Sequence, residues 1–130
     1  MAFNTLYKLL GAQLITGDSL NKNFAYPLVA YASGVTAKAS GTVANSTPIT
    51  ETITQVDTVA SSGDGVLLPY PNVGQTFVLI NNGSNPMTVF VAGGGTLNGT
   101  AGATGVSQAN AKTAEYYCAK AGAWFRCLSA

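Results

Sequence analysis

Histidine is absent from this chain of 130 residues. That removes the commonest general base, the Ser-His and Cys-His nucleophile pairs, and every histidine-containing metal site. Charge is nearly absent too. Asp, Glu, Lys and Arg make up 8% of the residues, against about 25% in ordinary soluble proteins. No charged residue stands between Asp64 and Lys112. The formal net charge of +1 gives nucleic acid no basic surface to bind. Cysteine is limited to Cys118 and Cys127, too few for a disulfide framework or a zinc site. Long apolar runs are missing as well. Gly, Asn, Thr and Ser interrupt the uncharged region, and nothing approaches the roughly 20 residues of a spanning helix, so no membrane is expected as a partner. Residues 1–20 carry one Lys and no continuous apolar segment, which leads us to expect use without export by a classical signal.

What remains is a chain rich in Gly, Asn, Thr and Ser, long enough for one domain. A neutral surface of this kind suits contact with other protein subunits more than life as a free monomer.

The organisation reads in two parts. Residues 1–47 form an N-terminal arm and linker. Leu6, Leu9 and Leu10 fit one face of a short helix that Gly11 weakens. Phe24, Tyr26 and Tyr31 follow, spread among polar residues, and "ASGVTAKASGTVANSTP" reads as linker. These six apolar residues are the expected partner-binding anchors. Residues 48–130 read as an all-β domain. "PITETITQVDTVASS" is rich in β-branched residues. "QTFVLI" is a continuous apolar run, as in a strand buried on both faces. "NNGSNP" reads as a hairpin-type turn, and "MTVFV" alternates. Many short strands with turns between them predict a small β-sandwich or barrel. Its expected core includes Phe77, Leu79, Val89, Val91, Cys118, Trp124 and Phe125.

"TAEYYCAK" (residues 113–120) looks like the Tyr-x-Cys strand of an immunoglobulin domain. The likeness fails on both required partners: Cys118 is the first cysteine, and Trp124, the sole tryptophan, comes after it. The stretch reads instead as one arm of a hairpin closed by "KAGA", with Gly122 supplying a positive φ. Pairing Ala119 with Trp124 places Cys118 and Cys127 on a shared face but diagonal, about 7–8 Å apart. A shift by one residue puts them on opposite faces. Both registers predict free thiols. Tyr116, Tyr117, Trp124 and Phe125 read as core and hairpin packing, with a stacking platform as the alternative.

No catalytic residue is expected. The carboxylates are Asp18, Glu51, Asp57, Asp64 and Glu115, and no spacing singles out an acid–base pair. The weakest reading is a small hydrolase using Asp57 or Asp64. "GDG" (63–65) reads as a turn. The glycines at 93–95, 99, 102 and 105 have no following Lys-Ser/Thr and make no phosphate loop. No cofactor and no metal are expected.

Gly63, Asp64, Val66, Leu68, Pro69, Asn82, Gly83, Gly95, Leu97, Asn98, Gly99, Tyr117, Cys118, Gly122 and Trp124 form a pattern across Gly63 to Cys127 that resembles one in small virion proteins of tailed bacteriophages. The loop "VFVAGGGT" departs from the pattern in lacking a proline after the second strand, and residues 1–47 have no counterpart in it. The resemblance implies a capsid decoration (cement) protein, most like a homotrimer. Such a protein is made in the host cytoplasm and binds the major capsid protein on the outer surface of the shell, which it stabilises. The alternative is a receptor- or carbohydrate-binding module of a phage head or tail fibre. Its mark would be an exposed aromatic cluster around the glycine-rich loop.

Overall fold

A computed structural model describes residues 30–130. Leu6, Leu9, Leu10, Phe24 and Tyr26 lie outside the described residues. Tyr31–Ala130 form a compact unit, and it is nearly all β. The strands are β1 (Tyr31–Thr36), β2 (Thr47–Pro48), β3 (Ile53–Thr58), β4 (Gly65–Leu68), β5 (Thr76–Asn81) and β6 (Met87–Val91). A 3₁₀ turn, Ala92–Gly94, leads to β7 (Thr96–Leu97), β8 (Thr100–Ala101), β9 (Val106–Gln108), β10 (Lys112–Lys120) and β11 (Ala123–Leu128).

The first six strands alternate between two sheets. One sheet has seven strands in the order β1-β3-β5-β10-β11-β7-β8, and the other has four in the order β2-β4-β6-β9. Each of β1, β3 and β5 pairs in parallel with the next, and so does each of β2, β4 and β6. Two strands therefore complete one turn of a coil, and the next turn stacks on it at the usual strand spacing of about 4.8 Å. This is a solenoid-like arrangement. It corrects the expected sandwich or barrel, whose neighbouring strands would be joined by hairpins. The coil ends by reversal. β9 runs antiparallel to β6, and β10 antiparallel to β5.

The reason lies at the corners. "NNGSNP" is a turn, but it passes the chain from one sheet to the other. Asn81 folds the bend on itself: its side-chain amide donates to the Asn85 carbonyl (3.0 Å), and its oxygen accepts from the Gly83 N–H (3.1 Å). The Asn85 amide reaches the corner of the previous turn and donates to the carbonyls of Val59 (2.9 Å) and Ala60 (3.0 Å). Gly83 is required there, because a Cβ would meet Val59 at 2.7 Å. Asparagine thus satisfies corner carbonyls that a hairpin would satisfy with its own strands.

The core fills the space between the sheets. Val56, Val66, Leu68, Leu79, Met87, Val89, Val91, Leu97, Tyr116 and Trp124 are all sealed from solvent. Leu79, Val89, Val91, Cys118 and Trp124 are where the sequence placed them. Phe77 is partly buried and meets Trp124 edge to face, with centroids 5.6 Å apart. Phe125 is a correction: it lies on the outer face, stacked on Tyr117. "QTFVLI" is another, since Val78 and Ile80 point outward and are only half-buried.

Residues 31–47, read as arm, also differ. They supply β1 and lead into β2, Ala37 is buried and Val35 packs on the core. The stretch looked like linker because Gly34 (φ +73) interrupts its alternation, and the β1–β3 register shifts around it.

The β10–β11 hairpin turns at Ala121-Gly122, with Gly122 at φ +79. Lys120 faces Ala123, as expected, but a bulge between Tyr117 and Lys120 shifts every later pair by one residue. Tyr117 then faces Phe125, and Glu115 faces Cys127. Without the bulge Trp124 would point to solvent; with it, Trp124 shares the core face with Tyr116 and Cys118. Both thiols are free. Cys118 is buried and Cys127 exposed.

Asp57 ties three chain segments together. Its carboxylate accepts from the Asn82 amide (2.7 Å), the Gln55 amide (2.7 Å) and the Gly34 N–H (2.6 Å). Those bonds, Asn82 first, hold the carboxyl below its usual range. The unfolded chain therefore takes up this proton first as pH falls. The stabilisation is complete above the usual carboxylate pKa of about 4 and is lost as pH drops through the lower folded value. Urea titrations from neutral pH into acid should show this loss in the wild type. The acid limb should be shallower in Asp57→Asn, and identical limbs would remove the role assigned to Asp57.

Candidate interaction surface

Backbone pairing arranges the outer face of the seven-stranded sheet into rows. Residues in register on neighbouring strands point the same way. One row runs Tyr31, Ile53, Val78, Glu115, Cys127 across five strands. A second runs Gln55, Ile80, Thr113, and a third runs Thr76, Tyr117, Phe125. Tyr31 is 58% exposed and Tyr117 39%. Ile53, Val78, Ile80 and Phe125 are half-buried. The rings of Tyr117 and Phe125 stack at 5.7 Å and 24°. Of the expected anchors, Tyr31 alone is among the described residues. Its hydroxyl donates to Gln55 Oε1 at 3.2 Å, which lays the ring along this face.

A second group of exposed apolar residues surrounds the β10–β11 turn. The loop 69–75 carries Tyr70 (44% exposed) and Val73 (66%). Backbone bonds stitch it to the hairpin. The Gly122 N–H donates to the Pro71 carbonyl (3.0 Å), the Gly74 N–H to the Cys118 carbonyl (2.9 Å), and the Cys118 N–H to the Gln75 carbonyl (2.9 Å). Trp124 Nε1–H donates to the Pro69 carbonyl at 2.9 Å. Sequence reading missed Tyr70 and Val73, because an isolated exposed residue in a loop leaves no periodic trace. "PYP" (69–71) was the available sign: two prolines fix the backbone on either side of one ring. The proposed platform of Tyr116, Tyr117, Trp124 and Phe125 splits by face. Tyr116 and Trp124 are sealed in the core, and Tyr117 and Phe125 lie outside.

Asp64 holds a turn. Asp64 is buried, and it accepts from the N–H groups of Ser61 (3.0 Å) and Ser40 (3.4 Å). It caps the bend before β4, as the turn reading of "GDG" had it, with Gly63 at φ +93. Asp57 is engaged as described above, and Glu115 is exposed on the outer sheet face. Among the described residues, no group of three His, Cys, Asp or Glu side chains is placed to hold a metal ion. No helix among them is long and apolar enough to cross a membrane.

This geometry can do two things. A sheet face with few charges can dock against another protein surface, and a rigid aromatic on a loop can anchor or stack a ligand. No protein-family model matches the chain, and no curated protein matches it.

Proposed function

We propose that this chain is a structural virion protein of a tailed bacteriophage, a capsid decoration protein that binds the outer surface of the major capsid protein shell and stabilises it. The observation that carries the reading is the outer face of the seven-stranded sheet. Rows of Tyr, Ile, Val and Phe lie across five strands with Glu115 as the one charge in those rows. Protein contact surfaces are depleted in charge and enriched in aromatic residues at their centres. The phage-like pattern from Gly63 to Cys127 supplies the partner class, and a homotrimer would multiply modest contacts through avidity. A stacked two-sheet coil gives such a face a rigid backing. The arm residues Leu6, Leu9, Leu10, Phe24 and Tyr26 are proposed as additional anchors on the capsid.

The test is binding to particles stripped of their own decoration protein. Wild type should saturate them. Tyr31→Arg combined with Tyr117→Arg puts two charges on an exposed face and leaves the core intact. Loss of two exposed tyrosines from the contact, with a charge put in place of each, should weaken binding by about a hundredfold or more. Removing residues 1–29 should weaken it separately. Full occupancy by the double variant would exclude the sheet face as the contact.

The second reading, a receptor- or carbohydrate-binding module, is favoured by one observation: Tyr70 stands exposed beside the glycine-rich loop.

A further inference from the structure

We propose that Tyr70 is a stacking platform for the apolar face of a neutral pyranose, so that the 69–75 loop and the 92–95 turn form a saccharide site. This rests on the second reading above and is independent of the sheet face.

The argument starts from rigidity. Pro69 and Pro71 flank Tyr70, and both of their carbonyls are fixed by hydrogen bonds, from Trp124 Nε1 and from the Gly122 N–H. The Tyr70 carbonyl accepts from the Asn72 amide at 3.3 Å. Three successive carbonyls are thus anchored, and little backbone freedom remains. The ring is also supported from below. A Cβ built on Gly93 would meet Tyr70 Cδ2 at 2.9 Å, and one on Gly122 would meet the Tyr70 oxygen at 3.2 Å. Both glycines hold positive φ, +65 and +79. Glycine backbone therefore lies against the Tyr70 side chain at two places, near Cδ2 and near the hydroxyl. With 44% of the residue still exposed, it offers its outer surface to a ligand. An aromatic held this firmly loses little entropy on binding.

A ring braced against glycine backbone at two places and exposed elsewhere suits a flat apolar ligand surface. A nucleobase has one, but it arrives with phosphates, and stacking sites for single strands track them with a positive groove. Lys120 is the only charge on the segments 69–75, 92–95 and 120–123. The C–H face of an uncharged sugar needs no such groove. Its hydroxyls need amide and backbone groups, and the same loop carries Asn72 and Gln75. Gln75 Oε1 already accepts from the Asn72 N–H at 3.2 Å, which holds its amide in place and leaves the NH₂ group for a ligand.

The test uses the full-length protein, with neutral hexose and N-acetylhexosamine oligosaccharides as probes and a single-stranded oligothymidylate as the charged comparison. Saturation-transfer NMR reports binding, and the Tyr70 ring resonances report its place. An oligosaccharide should shift the Tyr70 ring and bind equally well in high salt. Tyr70→Ala should weaken it by at least about tenfold, and Tyr70→Trp should preserve it. Gly93→Ala, which pushes on the ring, should weaken it with Tyr70 still present. Binding that is unchanged in Tyr70→Ala would overturn the platform and leave the second reading to another site. Absence of binding by every saccharide would overturn both, as would binding of the oligothymidylate alone. Tyr70→Ala should decorate stripped particles like wild type, which separates this site from the sheet face.

Discussion

Replacing Trp124 by alanine should lower the unfolding free energy by about 3–5 kcal/mol. Trp124 is completely buried, and three separate features are lost with it. The ring fills the space between β11 and the rest of the core, so its removal leaves a cavity that the two sheets cannot close. Its edge-to-face contact with Phe77 disappears, a contact worth about 0.5–1.5 kcal/mol beyond its area. Its Nε1–H no longer satisfies the Pro69 carbonyl, which frees one end of the loop that carries Tyr70. Trp124→Phe separates these effects. It keeps most of the ring and loses the hydrogen bond, so about 1–3 kcal/mol should be lost. Urea denaturation followed by far-ultraviolet circular dichroism measures both variants. A loss under about 1 kcal/mol for the alanine variant would contradict the burial of the ring.

That burial was legible in the sequence, and so was the β class. Met87, Val89 and Val91 alternate with Thr88 and Phe90, a period of two that a strand imposes and a helix does not. Their partners were not legible. Short strands separated by Asn/Gly corners read as hairpins, because the local chemistry of a tight turn and of a solenoid corner is nearly the same. What distinguishes them is where the Asn85 amide finds its acceptors. Those are the carbonyls of Val59 and Ala60, one turn of the coil earlier, and no local pattern reports that. The same limit hid β1. Tyr31–Thr36 carries a Gly-centred irregularity, and only its parallel neighbour β3 makes it a strand. Phe125 and Trp124 are adjacent and so take opposite faces of any strand; which of the two enters the core turns on a single bulge.

The candidate surface was legible in part. Tyr31 was picked out as an isolated aromatic and stands at the head of the longest outer row. Val78 and Ile80 belong to the uncharged region, but their continuous apolar run reads as a strand buried on both faces, since it does not say which face is covered. Tyr117 and Phe125 joined this surface only once the register was known.

Gln108→Leu should be the second severe change, costing about 2–4 kcal/mol despite its gain in apolarity. Gln108 is fully buried where the coil closes. Its amide donates to the carbonyls of Leu79 (2.9 Å) and Lys112 (3.0 Å). Its oxygen accepts from the Tyr116 hydroxyl at 2.7 Å. Its own carbonyl accepts from the Asn81 amide at 3.0 Å. One side chain therefore joins β5, β9 and β10, the three strands at which the parallel coil reverses. Burial pushes the Tyr116 hydroxyl up to about 12, opposed by Arg126 nearby, so the hydroxyl remains a neutral donor at any ordinary pH. Leucine of similar volume leaves that donor and two carbonyls buried without this partner, and the cost is theirs rather than the cavity's. The cycle with Tyr116→Phe tests this account. Phenylalanine removes the orphaned donor, so the double variant should be less destabilised than the sum of the singles by about 1 kcal/mol. Additive losses would mean that the two side chains act independently. Hydrogen exchange should place the damage in β9 and the start of β10, with the β1–β3 pairing still protected.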